Sequence, residues 1–595
     1  MPLTFDQIVV FVVLAFIIFS LYKEWLGTSF TFLVGVIFLG VFNILTPKEI
    51  LSGFANQHVA VIIMLLLLGD VLRKTGALEI VFDKIFNSAK SNRGFLGRMT
   101  TIVSFFSAFV NNTPIVAVMM PYIYNWCRRN NFSPSRFLIP LSYASILGGC
   151  ATLIGTSTNL IVNGLVADQE IIPDFQEFQI FDFAWVGVPM IIIGTIYLML
   201  FSSKLLPETP DVTTDYASSP REYIVTAQVK KDSQLCGKSI KEAGLRSLKG
   251  LYLVEIIRDS QKFPAVSPDV ILQAGDILNF AGDTDTIAEL INSRMGLSVP
   301  EVGMLYKKRK RTEIVEIVIS QNSTLINKTV KESNFRSKYD AAIISVYRNG
   351  ERITGKLGNV LIKAGDVLLL YTGEDFYSRT LDSQDFYFIS KVRDFVKVEN
   401  YKIIIMLAGL FAAIMLSAFN VITLFMGLII LLMASLSMNL TNPKELPKSI
   451  DYNLGLLIVL SLALGIAMEK TGAAELIANS FINLFKPFGT IGLLTGIYII
   501  TSLMAAYITN KAAVAIIFPI SLTMSVNLGL PPTPFILVVA YAAAANFITP
   551  IGYQTNLMVY GPGKYSFKDF MKIGLPLTII YMIVTISVLS IKYFI

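Results

Sequence analysis

The chain carries one histidine, His58, and three cysteines, Cys127, Cys150 and Cys236, among 595 residues. A single histidine excludes histidine triads and multi-histidine metal sites. The thiols have neither metal-ligand nor CxxC spacing and read as small buried residues. No Walker-type phosphate loop and no GxSxG elbow occurs, so nothing points to an enzyme or to a transition metal. Charge is scarce too: 15% of residues are charged, 54% are hydrophobic, and the mean hydropathy is +0.62. That is too apolar for an ordinary soluble domain, and the expected class is an α-helical polytopic membrane protein with the lipid bilayer as a partner. The net charge of +7 is modest, and nucleic acid is not implied. Asp6 precedes the first apolar run, where a signal peptide would be basic and end in a cleavage site, so that run is expected to stay as a transmembrane helix.

Apolar runs predict spans at about 5–22, 28–45, 58–73, 137–163 and 182–206, then at about 401–416, 418–438, 453–470, 533–559 and 573–594. Two further segments, about 96–127 and 489–526, are apolar but hold a polar knot at mid-length: Asn111-Asn112-Thr113-Pro114 in one, Thr509-Asn510-Lys511 in the other. Hydrocarbon tolerates such residues only where they line a protein-enclosed cavity, so each reads as the tip of a re-entrant helical hairpin. Pro114 would fall in the first turn of the returning helix, where its missing N–H costs little.

The two membrane halves are an internal repeat, offset by about 396–398 residues: Lys74-Thr75-Gly76-Ala77 recurs as Lys470-Thr471-Gly472-Ala473, Pro121 as Pro519, Tyr143 as Tyr541, and Asn159 as Asn556. Segments flanking the first hairpin are rich in Lys and Arg (Lys84, Lys90, Arg93, Arg98, Arg128, Arg129), whereas 164–181 holds Asp168, Glu170, Asp174 and Glu177 and no basic residue. The positive-inside rule then brings the first hairpin in from the cytoplasm and the second from outside, so the repeats are inverted and their tips converge near the midplane.

Between the halves hydropathy collapses. The expected division is 1–206 for the first repeat, 207–300 and 301–398 for two small cytoplasmic α/β modules, and 399–595 for the second repeat. The modules are themselves a repeat at an offset of about 90, with Ala274-Gly275-Asp276-Ile277-Leu278 answering Ala364-Gly365-Asp366-Val367-Leu368, Lys238-Ser239 answering Lys328-Thr329, and Arg246 answering Arg336. They resemble TrkA-C domains, the C-terminal domains of potassium-conductance regulators. That likeness implies a small ligand, often a cyclic dinucleotide, and so a nucleotide partner for this region. The basic run Lys307-Lys308-Arg309-Lys310-Arg311 reads as a solvated linker, with anionic lipid headgroups as its alternative contact.

Each hairpin is followed by a span interrupted by glycine, hydroxyl and amide residues: Gly148-Gly149-Cys150-Ala151-Thr152 through Gly155-Thr156-Ser157-Thr158-Asn159, and Asn546-Phe547-Ile548-Thr549-Pro550 through Gly552-Tyr553-Gln554-Thr555-Asn556. Broken helices offer carbonyls to Na⁺ and N-terminal amides to anions. The four interrupted segments contain no Asp or Glu, which disfavours an acidic proton relay or a cationic substrate and suits an anion carried with Na⁺. The same small and amide residues can also serve close helix packing, the plainer reading for any one of them.

Taken together, the paired tips and breaks resemble the divalent anion:sodium symporter family of the ion transporter superfamily, whose motif is a paired Ser-Asn-Thr. The resemblance implies an elevator-type homodimer in the plasma membrane, Na⁺ held between each tip and the nearby break, and the anion between the tips. Relatives with inserted TrkA-C domains are often sulfate transporters. Carried over residue by residue, Na⁺ falls to Asn111, Asn112, Gly155, Thr156 and Asn159 and to Thr509, Asn510, Thr549, Gly552 and Asn556. The anion falls to Asn112, Thr113, Ser157, Asn510, Lys511 and Thr555. Asn111 and Thr509 replace the family's serines. Lys511 stands where a threonine is expected, and its ammonium can substitute for a cation, pair with the anion, or snorkel to water. Dicarboxylate or bicarbonate remain alternatives to sulfate, and a nucleotide sensor with a vestigial transport half is an alternative of another class.

Overall fold

The computed structural model describes residues 3–594 apart from 76–90, 209–223, 246–250, 283–296, 299–312, 390–398, 447–451 and stretches of one to four residues elsewhere. The Lys307–Arg311 run, Arg246, most of the linker after Pro207, and Gly76 and Ala77 lie outside the described residues. Helices α1 (Phe5–Tyr22), α2 (Thr28–Val41), α3 (Gln57–Lys74), α4 (Asn92–Ser107), α5 (Asn112–Asn130), α6 (Leu138–Gly149), α7 (Ser157–Asp168) and α8 (Ala184–Leu205) form the first half. The second half repeats that order with α9 (Asn400–Ala418), α10 (Leu424–Ser437), α11 (Tyr452–Lys470), α12 (Ala473–Phe485), α13 (Gly489–Tyr507), α14 (Asn510–Leu528), α15 (Pro532–Ala544), α16 (Gln554–Tyr560) and α17 (Phe567–Phe594).

Both expected hairpins are present as helix pairs, α4–α5 and α13–α14, and both expected breaks separate α6 from α7 and α15 from α16. Hydroxyl residues start the helices: Ser91 accepts from Gly94 N at 3.1 Å, and Thr509 accepts from Ala512 N at 3.1 Å. Helix α12 was not anticipated. It follows α11 after Thr471 and the left-handed Gly472 (φ 69°), and merges with its neighbours in hydropathy.

Six helical stretches among the described residues are long and apolar enough to cross a membrane. Their outward faces carry apolar ridges at helical spacing, Val188, Ile192 and Ile196 on α8 and Leu575, Ile579 and Ile583 on α17. Such ridges suit hydrocarbon rather than water. Helices α6 and α15 are buried almost along their whole length and form the centre. The halves are stitched crosswise by repeat mates: Tyr143 donates to Phe547 O at 2.5 Å, and Tyr541 donates to Phe183 O at 2.8 Å.

The intervening block is two five-stranded antiparallel sheets. The first comprises β1 (Ile224–Val229), β2 (Leu251–Arg258), β3 (Gln261–Pro264), β4 (Ile277–Gly282) and β5 (Leu297–Ser298). The second comprises β6 (Glu313–Ile319), β7 (Ala341–Arg348), β8 (Glu351–Arg352), β9 (Val367–Thr372) and β10 (Phe386–Phe388). Their orders, β3-β2-β4-β1-β5 and β10-β6-β9-β7-β8, are the same order read from opposite edges. The turn glycines Gly275 (φ 91°) and Gly365 (φ 80°) occupy the left-handed region. The aspartate after each takes a forked pair of 2.8 Å bonds, Asp276 from Arg258 and Asp366 from Arg348. The modules also meet each other, Arg336 Nη2 donating to Leu253 O and Tyr371 Oη donating to Glu255 Oε2, both at 3.0 Å.

The second module does not hang free. Val318, Val367 and Ile389 belong to the same buried apolar cluster as the membrane helices.

Candidate functional site

The two breaks fold into the same hydrogen-bonded knot. In the first half Thr152 Oγ1 donates to Ala108 O of the hairpin turn, Gly155 N donates to Thr152 Oγ1 at 3.2 Å, and Asn159 Nδ2 donates to Thr152 O at 2.9 Å. In the second half Thr549 Oγ1 donates to Ala506 O at 2.9 Å, Gly552 N to Thr549 Oγ1 at 3.0 Å, and Asn556 Nδ2 to Thr549 O at 3.0 Å. Threonine is needed because one hydroxyl must both donate and accept, and a buried backbone freed from its helix requires such partners. Glycine is needed for space. A Cβ on Gly155 would stand 2.6 Å from Gly149 O, and one on Gly552 would stand 2.1 Å from Asn546 Nδ2.

The first tip is built on a close approach of α4 and α6, where Ser104 and Ser107 donate to Ala144 O and Ser145 O at 2.8 Å. Asn112 is buried at the start of α5. With its amide oriented to match donors with acceptors, it accepts from Tyr553 Oη at 2.7 Å and donates to Ser107 Oγ at 2.6 Å, Ser145 O at 3.2 Å and Gly155 O at 3.3 Å. Tyr553 also bonds Thr156 Oγ1 at 3.1 Å, so a phenol from the second break closes over the first tip. Beside it Thr113 Oγ1 donates to Gln554 Oε1 at 3.2 Å.

The expected residues thus divide. Asn112, Gly155 and Thr156 come together around Tyr553, while Thr549, Gly552 and Asn556 form the second knot. Asn111 and Ser157 face elsewhere, lining a small cleft otherwise walled by Leu65, Gly69, Phe109, Leu160 and other apolar residues. Thr555 is fully buried against Ser142, whose hydroxyl lies 2.8 Å from Thr555 Oγ1 and 2.7 Å from Asn556 Oδ1. Thr509 caps α14, and Lys511 is half-buried in the first turn of that helix. Ser107, Ser142, Tyr553 and Gln554 were not singled out from sequence. Tyr553 and Gln554 stand in the second break where the first has Thr156 and Ser157, and that exchange of small hydroxyls for long polar side chains is the signal that could have found them.

Two side-chain oxygens at these knots have no hydrogen-bond partner although both are buried: Asn159 Oδ1 and Asn510 Oδ1, on residues 0% and 9% exposed. A buried amide oxygen left without a hydrogen fits a hard cation such as Na⁺, which takes oxygen ligands. Among the described residues no group of three or more His, Cys, Asp or Glu could hold a metal ion.

The family model described as CitMHS, citrate transporter, matches residues 12–417 and 411–594. The chain belongs to the citrate transporter family. It is a membrane transporter and not an enzyme, within the ion transporter superfamily that its paired tips resembled. Among relatives, a Chlamydomonas reinhardtii protein described as a putative sulfur deprivation response regulator is 35% identical, covering 92% of this chain and 95% of its own. An uncharacterized transporter of Synechocystis is 31% identical over 98% of this chain and 96% of its own, and sodium/sulfate cotransporter 1 of Chlamydomonas reinhardtii is 25% identical over 97% and 88%.

Proposed function

We propose that this member of the citrate transporter family is a sodium-coupled symporter that imports a small divalent inorganic anion, sulfate first. The observation carrying the sodium half is the pair of buried, unpartnered amide oxygens of Asn159, after the first break, and Asn510, at the second hairpin tip. Sulfate is supported by relatives named as sodium/sulfate cotransporters and by a polar lining of hydroxyls and amides without carboxylates. In this reading Na⁺ is a substrate held by Asn112, Gly155, Thr156 and Asn159 on one side and by Thr509, Asn510, Thr549 and Gly552 on the other, while Asn111 lines the apolar cleft and Asn556 Oδ1 is taken by Ser142. Asn112, Thr113, Asn510 and Lys511 face the anion, whereas Ser157 lines the apolar cleft and Thr555 is buried against Ser142. The protein works as an elevator-type homodimer in the plasma membrane, its inverted repeats alternating access to one site. The two β modules are cytoplasmic TrkA-C domains that tune transport and bind a nucleotide.

Uptake of radiolabelled sulfate into proteoliposomes, with and without an inward Na⁺ gradient, tests the proposal. Gradient-driven accumulation that excess unlabelled sulfate abolishes is expected, and no uptake of any anion would sink the reading. The family description favours citrate as a second substrate. Competition by citrate, succinate and bicarbonate in the same assay decides between an inorganic dianion and a carboxylate.

A further inference from the structure

We propose that Tyr387, on strand β10 of the second module, is a positioning residue for the anion site, and that docking of this module holds the site in a low-affinity form. The inference rests on the anion-transport reading above. The Tyr387 hydroxyl accepts from Gln554 Nε2 at 3.1 Å, and Gln554 Oε1 in turn accepts from Thr113 Oγ1 at 3.2 Å. A threonine hydroxyl has one hydrogen. While it lies on Gln554 it is withheld from an anion, and one of the two Gln554 N–H donors is spent on Tyr387. Gln554 opens α16, and Thr113 stands in the first turn of α5. Two donors that a dianion would take are therefore turned towards each other and towards the module.

The contact is built from both sides. Strand β10 pairs with β6, setting Tyr387 opposite Val318, and Ser320 Oγ lies 3.4 Å from the Tyr387 hydroxyl. Asp385, just ahead of the strand, anchors it: its carboxylate takes Ser323 Oγ at 3.0 Å, Lys338 Nζ at 2.9 Å and the Tyr339 hydroxyl. Around this anchor the Gly365 turn presses on α16 so closely that a Cβ there would stand 2.9 Å from Leu557. A Cβ on Gly561, just past α16, would stand 2.5 Å from Gly365 O. Glycines from two distant parts of the chain thus face each other where two backbones touch. Helix α16 is held near its first residue by Tyr387 and just past its last by the Gly365 turn, so release of the module frees the helix that carries Gln554.

Sulfate uptake by the full-length protein in proteoliposomes is to be compared for the parent chain, Tyr387→Phe and Gly365→Val, together with hydrogen–deuterium exchange of residues 554–561. Tyr387→Phe keeps the ring and removes the acceptor. It should lower the sulfate KM about three- to tenfold, the scale of one net hydrogen bond, with little change in maximal rate. Gly365→Val should lower KM similarly and also raise exchange across 554–561. An unchanged or raised KM in both variants overturns the positioning role, because loss of a merely structural contact would depress the maximal rate instead. Unaltered exchange in Gly365→Val overturns the docked arrangement. Absence of uptake by the parent chain, with exchange still rising in Gly365→Val, overturns the anion reading and the positioning role with it and leaves the docking standing.

Discussion

Asn159 and Asn556 are repeat mates with one difference that decides their chemistry. Both donate their amide nitrogen to the carbonyl of the knot threonine, but Asn556 Oδ1 is taken by Ser142 while Asn159 Oδ1 has no hydrogen-bond partner. If Na⁺ is the missing partner, Asn159→Ala and Asn510→Ala should each raise the Na⁺ concentration for half-maximal uptake about tenfold or more, whereas Asn479→Ala, at an exposed surface contact with Asn527, should not. The Na⁺ dependence of sulfate uptake checks this. Lys511→Thr restores the residue the family resemblance expects. An increase in Na⁺ carried per anion, or a loss of anion affinity, is the expected outcome, read from reversal potentials and sulfate KM, and no change in either would dismiss a role for the ammonium. Asn112 and Thr113 were legible from sequence because amides in an apolar run demand an explanation. Tyr553 was not, since a phenol beside the Gln-Thr-Asn of a break gives no sign of its partners until its hydroxyl is seen between Asn112 and Thr156.

At the scale of elements, the breaks depend on absent side chains as much as on present ones. Gly552→Ala would drive a methyl into Asn546 and Thr549, atoms fixed by the knot, and should destabilise the protein by about 1–3 kcal/mol or more while abolishing uptake. Gly455→Ala, with nothing within 4 Å, should be silent in both thermal stability and uptake. The positions of the membrane helices followed from hydropathy and the module repeat from its Gly-Asp turns, because those patterns are local. Helix α12 escaped because its polar face, with Glu475 and Asn479, follows α11 after only two residues. In the second module Asp385 ties β10 to the sheet. Burial pushes its carboxyl up, but hydrogen bonds from Tyr339, Lys338 and Thr324 more than reverse this and hold it at about 2, below the usual 3.8. Its folded pKa lies below its unfolded one, so the stability it lends is full above about pH 4 and is lost as pH falls towards 2. Asp385→Asn should cost about 3 kcal/mol at pH 7 and flatten the dependence below pH 4, as scanning calorimetry of the solubilised protein can measure.

For the molecule as a whole, the lesson is where sequence periodicity stops. The two-fold plan of the membrane part and the two-fold plan of the modules were both readable as offsets in register. Their junction was not, because Val318 and Val367 look like any strand residues, and nothing in a single strand says which face meets a membrane helix. Tyr143 and Tyr541 make the same point between the halves: each is an ordinary buried aromatic until its hydroxyl is followed to a backbone carbonyl of the other half.

The seating of the second module against α16 also orders the protein's manufacture. The module leaves the ribosome nearly two hundred residues before Leu557 and Gly561 exist, so its apolar edge must wait in water until the last membrane segments are inserted. A nascent chain stopped short of α16 would display that edge permanently. Completion of the C-terminal helices is thereby also the event that removes a signal for quality control.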